Sequence, residues 1–238
     1  MLARPAAAIA RTLGAIARDT LEFVLPQRCP VCGEPADPAV LFCDDCARAL
    51  PRLGVAICAR CLSEERAPDA CARHSGQQVH AGLDYDERVA LLVHAIKFGA
   101  RPGLARAHIG AVADALPRRW RRPALVTAVP LHRTRLRERG YNQAEAIAEA
   151  LADTIGAPFV PDMLARVRDT RAQSALGPRA RRANVRGAFR LARPAWVRGR
   201  DVLVVDDVLT TGATMAECLT TLGAEGARTA GAVLAWAQ

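Results

Sequence analysis

The stretch DVLVVDDVLTTGAT, Asp201 to Thr214, decides how this chain is read. Four apolar residues, Val202 to Val205, lead into two adjacent carboxylates, Asp206 and Asp207, and a small hydroxyl-rich segment follows. Neighbouring acids at the end of a buried strand repel each other and lose solvation, so their position calls for a ligand. The pattern predicts a strand over DVLVVDDV and a helix over TGATMAECLTTLGAEGA. Thr210, Thr211, Gly212, Ala213 and Thr214 then turn into the N-terminus of that helix. Backbone N–H groups there, with hydroxyls beside them, form an anion cup. Gly212 lets a ligand approach the backbone closely. The carboxylates accept hydrogen bonds from hydroxyls, and a ligand carrying a phosphate and a diol at that separation is a ribose 5-phosphate.

Outward from this stretch the pattern alternates. DERVALLVHAIKFGA reads as a helix closed by Gly99, and RPGLARAHIGAVADAL as a second helix. ALVTAVPLH reads as a buried strand entering a loop, and NQAEAIAEALADTIG as a helix with Gly156 near its end. MLARVRDT and RGAFRLA are short strands around an Arg-rich connection, and TAGAVLAWA is a final strand. Strands alternating with helices predict an α/β fold, a parallel sheet flanked by helices on both faces. Ligands bind such sheets at the C-terminal strand ends, which is where Asp206 and Asp207 fall.

The cysteines define a separate region. Seven of the eight lie between residues 29 and 71, as Cys29-x2-Cys32, Cys43-x2-Cys46 and Cys58-x2-Cys61, then Cys71 followed at the same spacing by His74. One unit is used twice, with His74 in place of the last thiol. Paired knuckles of this kind place four soft ligands around a tetrahedral ion, and zinc is the usual occupant. A disulfide framework is the rival reading, but a histidine cannot join one. Four protein ligands leave no open coordination position, so the expected role is structural, with the metal supplying much of the module's stability. His80 is a nearby competitor for the fourth position of the second site. Cys218 stands apart and reads as a small buried hydrophobe. The expected organisation is an N-terminal helix over 1–28, a double zinc ribbon over 29–80 and an α/β domain over 81–238.

The 238 residues carry a formal charge of +9, with 32 arginines against one lysine, Lys97. That balance favours phosphate-bearing partners, although Arg-rich, Ala-rich usage also reads as a composition bias of the whole genome. No apolar run is long enough to span a bilayer. At the N-terminus an export signal is interrupted by Arg11 and Arg18. Leu13, Ile16, Ala17, Thr20, Leu21 and Val24 instead recur at helical spacing, predicting an amphipathic helix that packs on the body and ends before Pro26.

VLVVDDVLTTGAT resembles, at every position, the phosphoribosyl-pyrophosphate signature of type I phosphoribosyltransferases. The cysteine repeat, IKFGA, VPLHRTRLRERGYNQAEAIAEAL, RVRDTRAQSALGPRARRANVRGAF and the signature occur in the order seen in the competence protein F (ComF, GntX-like) family. The resemblance runs from about Leu21 to Trp236. It implies that Asp206 and Asp207 hold the ribose hydroxyls of 5-phosphoribosyl 1-pyrophosphate (PRPP) and stabilise charge during catalysis, and that Thr210 to Thr214 hold the 5-phosphate. Pyrophosphate and Mg2+ would lie by the loop from Val129 to Leu131, with the ion held mainly by substrate and water. Arg139 and Asn142, in RERGYNQ, would face the ligand, and Lys97 stands where related enzymes have a ligand-contacting lysine on a loop. Gln173, Arg182 and Asn184 fall in what resembles a mobile loop that closes on substrate.

One departure is informative. Enzymes that salvage 6-oxopurines carry an acid four positions after the first Asp of the signature, and this chain has Thr210 there. That argues against hypoxanthine-guanine salvage and leaves the acceptor unnamed. Three functions stand side by side: a cytoplasmic phosphoribosyltransferase, a non-catalytic single-stranded-DNA-binding protein of competence working with its helicase machinery, and a nucleotide-sensing regulator on the same fold. The scarcity of aromatics, 4% of the chain, weakens base stacking as a binding mode.

Overall fold

The computed structural model describes residues 27–65, 71, 73–99, 101–168 and 183–238. The N-terminal helix expected over 1–28 lies almost wholly outside them. The chain forms two compact units, Met1–Ala49 and Leu50–Gln238. In the first, Cys29, Cys32, Cys43 and Cys46 surround one point, with helix α1 (Asp44–Arg48) carrying the last of them.

The second unit is built on a six-stranded sheet in the order β2-β1-β3-β8-β7-β4. Its strands are β1 (Ala56–Cys58), β2 (Glu64–Glu65), β3 (Gln78–Asp84), β4 (Leu125–Ala128), β7 (Asp201–Leu209) and β8 (Arg228–Trp236). β3, β8, β7 and β4 run parallel, while β1 pairs antiparallel with both β2 and β3. Val202 to Val205 are fully buried at the centre of β7, covered on both faces as their unbroken apolar run predicts. The register sets Asp206 opposite Val233 on β8.

α5 (Arg133–Arg139) follows β4, and one face of the sheet carries α2 (Glu87–Phe98), α3 (Leu104–His108), α4 (Gly110–Ala115) and α6 (Gln143–Ile155). The other carries α7 (Ala213–Ala224) and a two-stranded antiparallel ribbon, β5 (Leu164–Arg166) with β6 (Phe189–Leu191). Met215, Cys218, Leu219 and Leu222 of α7 pack with Phe189, Leu191, Val202, Val204 and Val233 in one core. Cys218 is buried there as an apolar residue. α7 lies so close that a Cβ on Gly231 of β8 would stand 2.9 Å from the Met215 sulfur.

Three departures from the sequence-based expectations have local causes. RPGLARAHIGAVADAL forms two short helices, α3 and α4, because Gly110 interrupts the run after Ile109. β3 was not expected. QVHAGLD lies across the expected 80/81 limit, and the second cysteine set shares a compact unit with the sheet. His80 sits within β3, opposite Ala56 and Ala232, and is 3% exposed. Burial lowers its pKa to about 4 and keeps it neutral, and it does not belong to the second cysteine cluster.

Candidate functional site

All four parallel strands end at one cavity of about 510 Å³. Tyr85 follows β3, Val129 to His132 follow β4, Asp206 to Leu209 close β7, and Ala237 follows β8. Thr210 to Thr214 form a further wall and lead into α7, whose N-cap is Gly212 at φ +69°. Gly212 has no side chain with which to cap the first turn, so the positive end of the helix faces the cavity uncovered by a capping oxygen. The cations around the rim are Lys97, Arg135, Arg139 and Arg166. Asp206, Asp207, Thr210 to Thr214, Val129, Leu131, Lys97 and Arg139 are thus brought together by the fold.

The two carboxylates are organised differently. Asp206 is half-buried and accepts a hydrogen bond from the Asp207 N–H at 2.9 Å. Burial, and then the charge of Asp207, raise its pKa to about 8 against the pull of Lys97 and that N–H group. Asp207 is 5% exposed and accepts from the Val208 N–H at 2.7 Å through one oxygen. Its other oxygen lies 2.8 Å from Lys97 Nζ. Lys97 occupies the last turn of α2 and not a loop, which corrects the position expected for it. Asp86 caps the N-terminus of this helix by accepting from the Val89 N–H at 2.8 Å, and the Tyr141 hydroxyl holds the C-terminal end by donating to the Ile96 carbonyl. Lys97→Met leaves a buried carboxylate without its partner. The expected cost is about 2 kcal/mol of unfolding free energy, reduced from a fully buried pair because Lys97 is 25% exposed. Denaturant titration checks it, and adding Asp207→Asn to Lys97→Met recovers most of the loss.

Asn142 has a structural position rather than a cavity-facing one. It is 4% exposed, caps α6 by accepting from the Ala144 N–H at 3.1 Å, and donates to the Val129 carbonyl at 3.1 Å. Val129 in turn donates its N–H to the Val205 carbonyl at 2.8 Å. The Val129–Leu131 loop is therefore clamped between β7 and the start of α6. Arg139 bonds Gln143 and stacks over the exposed Phe98 ring at 5.1 Å. Asn184 is half-buried and is not among the cavity-lining residues, whereas Gln173 and Arg182 lie outside the described residues. Tyr85, Arg135 and Arg166 line the cavity without having been singled out. A reading of β3 would have found Tyr85, which directly follows its C-terminal end.

The two cysteine sets fit zinc. In each, the four ligand atoms lie within 4.8 Å of one another. Sγ of Cys32 and Cys43 are 3.5 Å apart, Sγ of Cys61 and Cys71 are 3.6 Å apart, and His74 Nδ1 is 3.5 Å from Cys58 Sγ. Tetrahedral ligation with bonds of about 2.3 Å has ligand spacings near 3.8 Å. The thiols do not ionise alike without a metal. The Ser63 hydroxyl leads in lowering Cys61 to about 6, while burial leads in pushing Cys58 to about 11. A dication is what lets such neighbours be thiolates together. The clusters support structural zinc.

A sheet whose inner parallel strand β7 ends in an acid pair and turns through a glycine into a helix, preceded by two cysteine ribbons, defines a phosphoribosyltransferase-domain protein with a double zinc ribbon. Family profiles agree: the double zinc ribbon domain matches residues 20–74 and the phosphoribosyl transferase domain residues 140–238. The DNA utilization protein YhgH of Salmonella typhimurium is 33% identical over 207 residues, covering 84% of this chain and 86% of the relative. Its Salmonella typhi counterpart is 34% identical over 199 residues, covering 79% and 86%. Competence protein F of Haemophilus influenzae is 33% identical over 166 residues, covering 67% and 69%. The chain belongs to this competence protein F and DNA utilization protein family. No described helix is long and apolar enough to cross a membrane.

Proposed function

We propose that the cavity binds PRPP with Mg2+ and that the protein is a cytoplasmic phosphoribosyltransferase acting in DNA utilization. One observation carries this reading: a carboxylate pair at the C-terminal end of β7 shares a cavity with the uncapped N-terminus of α7. Asp206 and Asp207 accept from the ribose hydroxyls, and Thr210 to Thr214 take the 5-phosphate. The clamped Val129–Leu131 backbone, with Arg135 and Arg139 beyond it, faces pyrophosphate. Lys97 already holds one oxygen of Asp207, so the protein has few oxygens to spare for Mg2+, and substrate and water supply most of its ligands. The bound ion would neutralise pyrophosphate charge.

The reaction is a displacement at the anomeric carbon. The acceptor–carbon bond forms, the carbon–pyrophosphate bond breaks, pyrophosphate leaves with the electron pair, and the acceptor gives up a proton. Cationic character develops at the sugar ring, where Asp207, joined by Asp206 once that group is ionised, is poised to stabilise it. Isothermal calorimetry with PRPP tests the site. Binding that strengthens with Mg2+ is expected, and no heat with or without Mg2+ refutes the assignment.

A second reading has its own observation. At the opposite end of the sheet, by the first residues of β3 and β8, a groove of about 1070 Å³ is lined by Arg60, Arg73, Arg118, Arg119 and Arg228 and, among the described residues, by no carboxylate. Such a surface suits the phosphates of single-stranded DNA, the partner class that the names of the relatives bring to mind. Arg119 and Arg228 also contact Asp201, which holds their guanidinium groups near the groove. Strand affinity is expected to fall roughly 10-fold or more between 50 and 200 mM salt if three or more phosphates are neutralised. A flat salt response removes this reading.

A further inference from the structure

The backbone of the second ribbon is the seat of the signature loop. Ala59, between Cys58 and Cys61, is 1% exposed. A Cβ on Gly212 would stand 2.0 Å from the Ala59 carbonyl oxygen and 2.8 Å from its carbon. The loop glycine and the knuckle residue therefore meet backbone to backbone, with no side chain between them to absorb a shift. Further bonds fix the same junction. Arg60 donates to the Thr220 hydroxyl of α7 at 3.1 Å, and Gln77 donates to that hydroxyl at 3.3 Å. The Ala59 N–H bonds the Gln77 carbonyl at 2.8 Å. Downstream, the Thr229 hydroxyl of β8 donates to the Gly76 carbonyl at 2.9 Å.

We infer that the Cys58–Cys61–Cys71–His74 site is a positioning element for the cavity: zinc held there sets the height of the loop on which the ligand phosphate rests. The inference rests on the PRPP reading of that loop. The turn from Cys58 to Cys61 is closed by its ligands, with the Leu62 N–H bonded to the Cys58 carbonyl at 2.8 Å. Losing the metal frees four ligand groups, two of which, Cys58 and Cys61, directly flank the residues that touch Gly212 and Thr220. The cup of N–H groups then loses its floor. Binding free energies are reciprocal, so a ligand that needs the loop at this height must also tighten the zinc.

The test uses the full chain in its zinc-loaded form. Calorimetry first establishes PRPP binding in the presence of Mg2+. If the wild type does not bind, the reading of the loop fails and the inference fails with it. With binding established, zinc release to a zinc-selective chelator is followed far below the melting temperature, with and without saturating PRPP and Mg2+. At least 5-fold slower release of one zinc equivalent is expected with ligand. In parallel, Cys61→Ser should lose one zinc equivalent and bind PRPP at least 10-fold more weakly while retaining its circular dichroism spectrum. Should that variant not fold, the wild-type release measurement decides alone. Equal release rates with and without ligand, in protein shown to bind PRPP, overturn the inference and leave the PRPP site standing.

Discussion

Replacing both Asp206 and Asp207 by Asn lowers affinity for PRPP at least 100-fold, and Asp206→Asn alone raises the melting temperature at pH 8. Above pH 8, where Asp206 joins Asp207 in the ionised form, both offer charged acceptors to ribose hydroxyls, and charged acceptors contribute roughly twice what neutral ones do. Two such losses in one cavity account for about 3 kcal/mol, or two decades in affinity. The stability gain has the opposite origin. Asp206 has a folded pKa raised from the ordinary carboxylate value of 3.8 to about 8. The folded state therefore holds this proton more tightly than the unfolded chain does. Stability falls as pH rises from about 4 to about 8 and stays lower above that window. Asp206→Asn alone removes this dependence. At pH 8 it is expected to be more stable by about 1–2 kcal/mol, a discounted figure because the side chain is half-buried, or roughly 3–8 °C. Calorimetry and thermal melts at pH 5 and pH 8 check both halves. A double Asn variant that binds PRPP like the wild type sinks the site assignment.

Gly212→Ala is expected to be the most damaging single substitution in the cavity wall. Gly212 has φ +69°, a left-handed conformation that costs an L-residue about 1 kcal/mol or more. The added methyl would also stand 2.0 Å from a backbone oxygen that β1 and the ribbon hold in place. Relief requires moving either the knuckle or the start of α7. Together these predict a loss of about 3–5 kcal/mol in stability, the range reserved for overpacking and backbone strain combined. Denaturant unfolding checks it. A loss below about 1 kcal/mol would show that the loop can slide off Ala59 freely.

Much of this was legible in the sequence, for identifiable reasons. β7 and α7 were read correctly because an apolar run followed by a small, hydroxyl-rich turn has few alternative structures. The cysteine sets were legible because metal ligation demands fixed spacing. β3 escaped because QVHAGLD alternates weakly, and because it is stabilised by pairing on both sides rather than by its own residues. Asn142 looked ligand-facing from its place between Tyr141 and Gln143. An Asn preceding a helix is also an N-cap, and nothing local decides between the two roles. The Lys97–Asp207 contact joins residues 110 positions apart in the chain and leaves no local trace. The same holds for Ala59 against Gly212, since a glycine required by one neighbouring backbone looks like a glycine required by a ligand.

The placement of β1 and β2 has one more consequence. β3 is a seven-residue strand buried along nearly its whole length, and β1 covers one of its hydrogen-bonding edges. A protein that loses metal from the second ribbon weakens the cover on that edge. Open edges of apolar strands recruit other chains. Zinc depletion is therefore expected to favour self-association through this edge, which light scattering on chelator-treated protein checks.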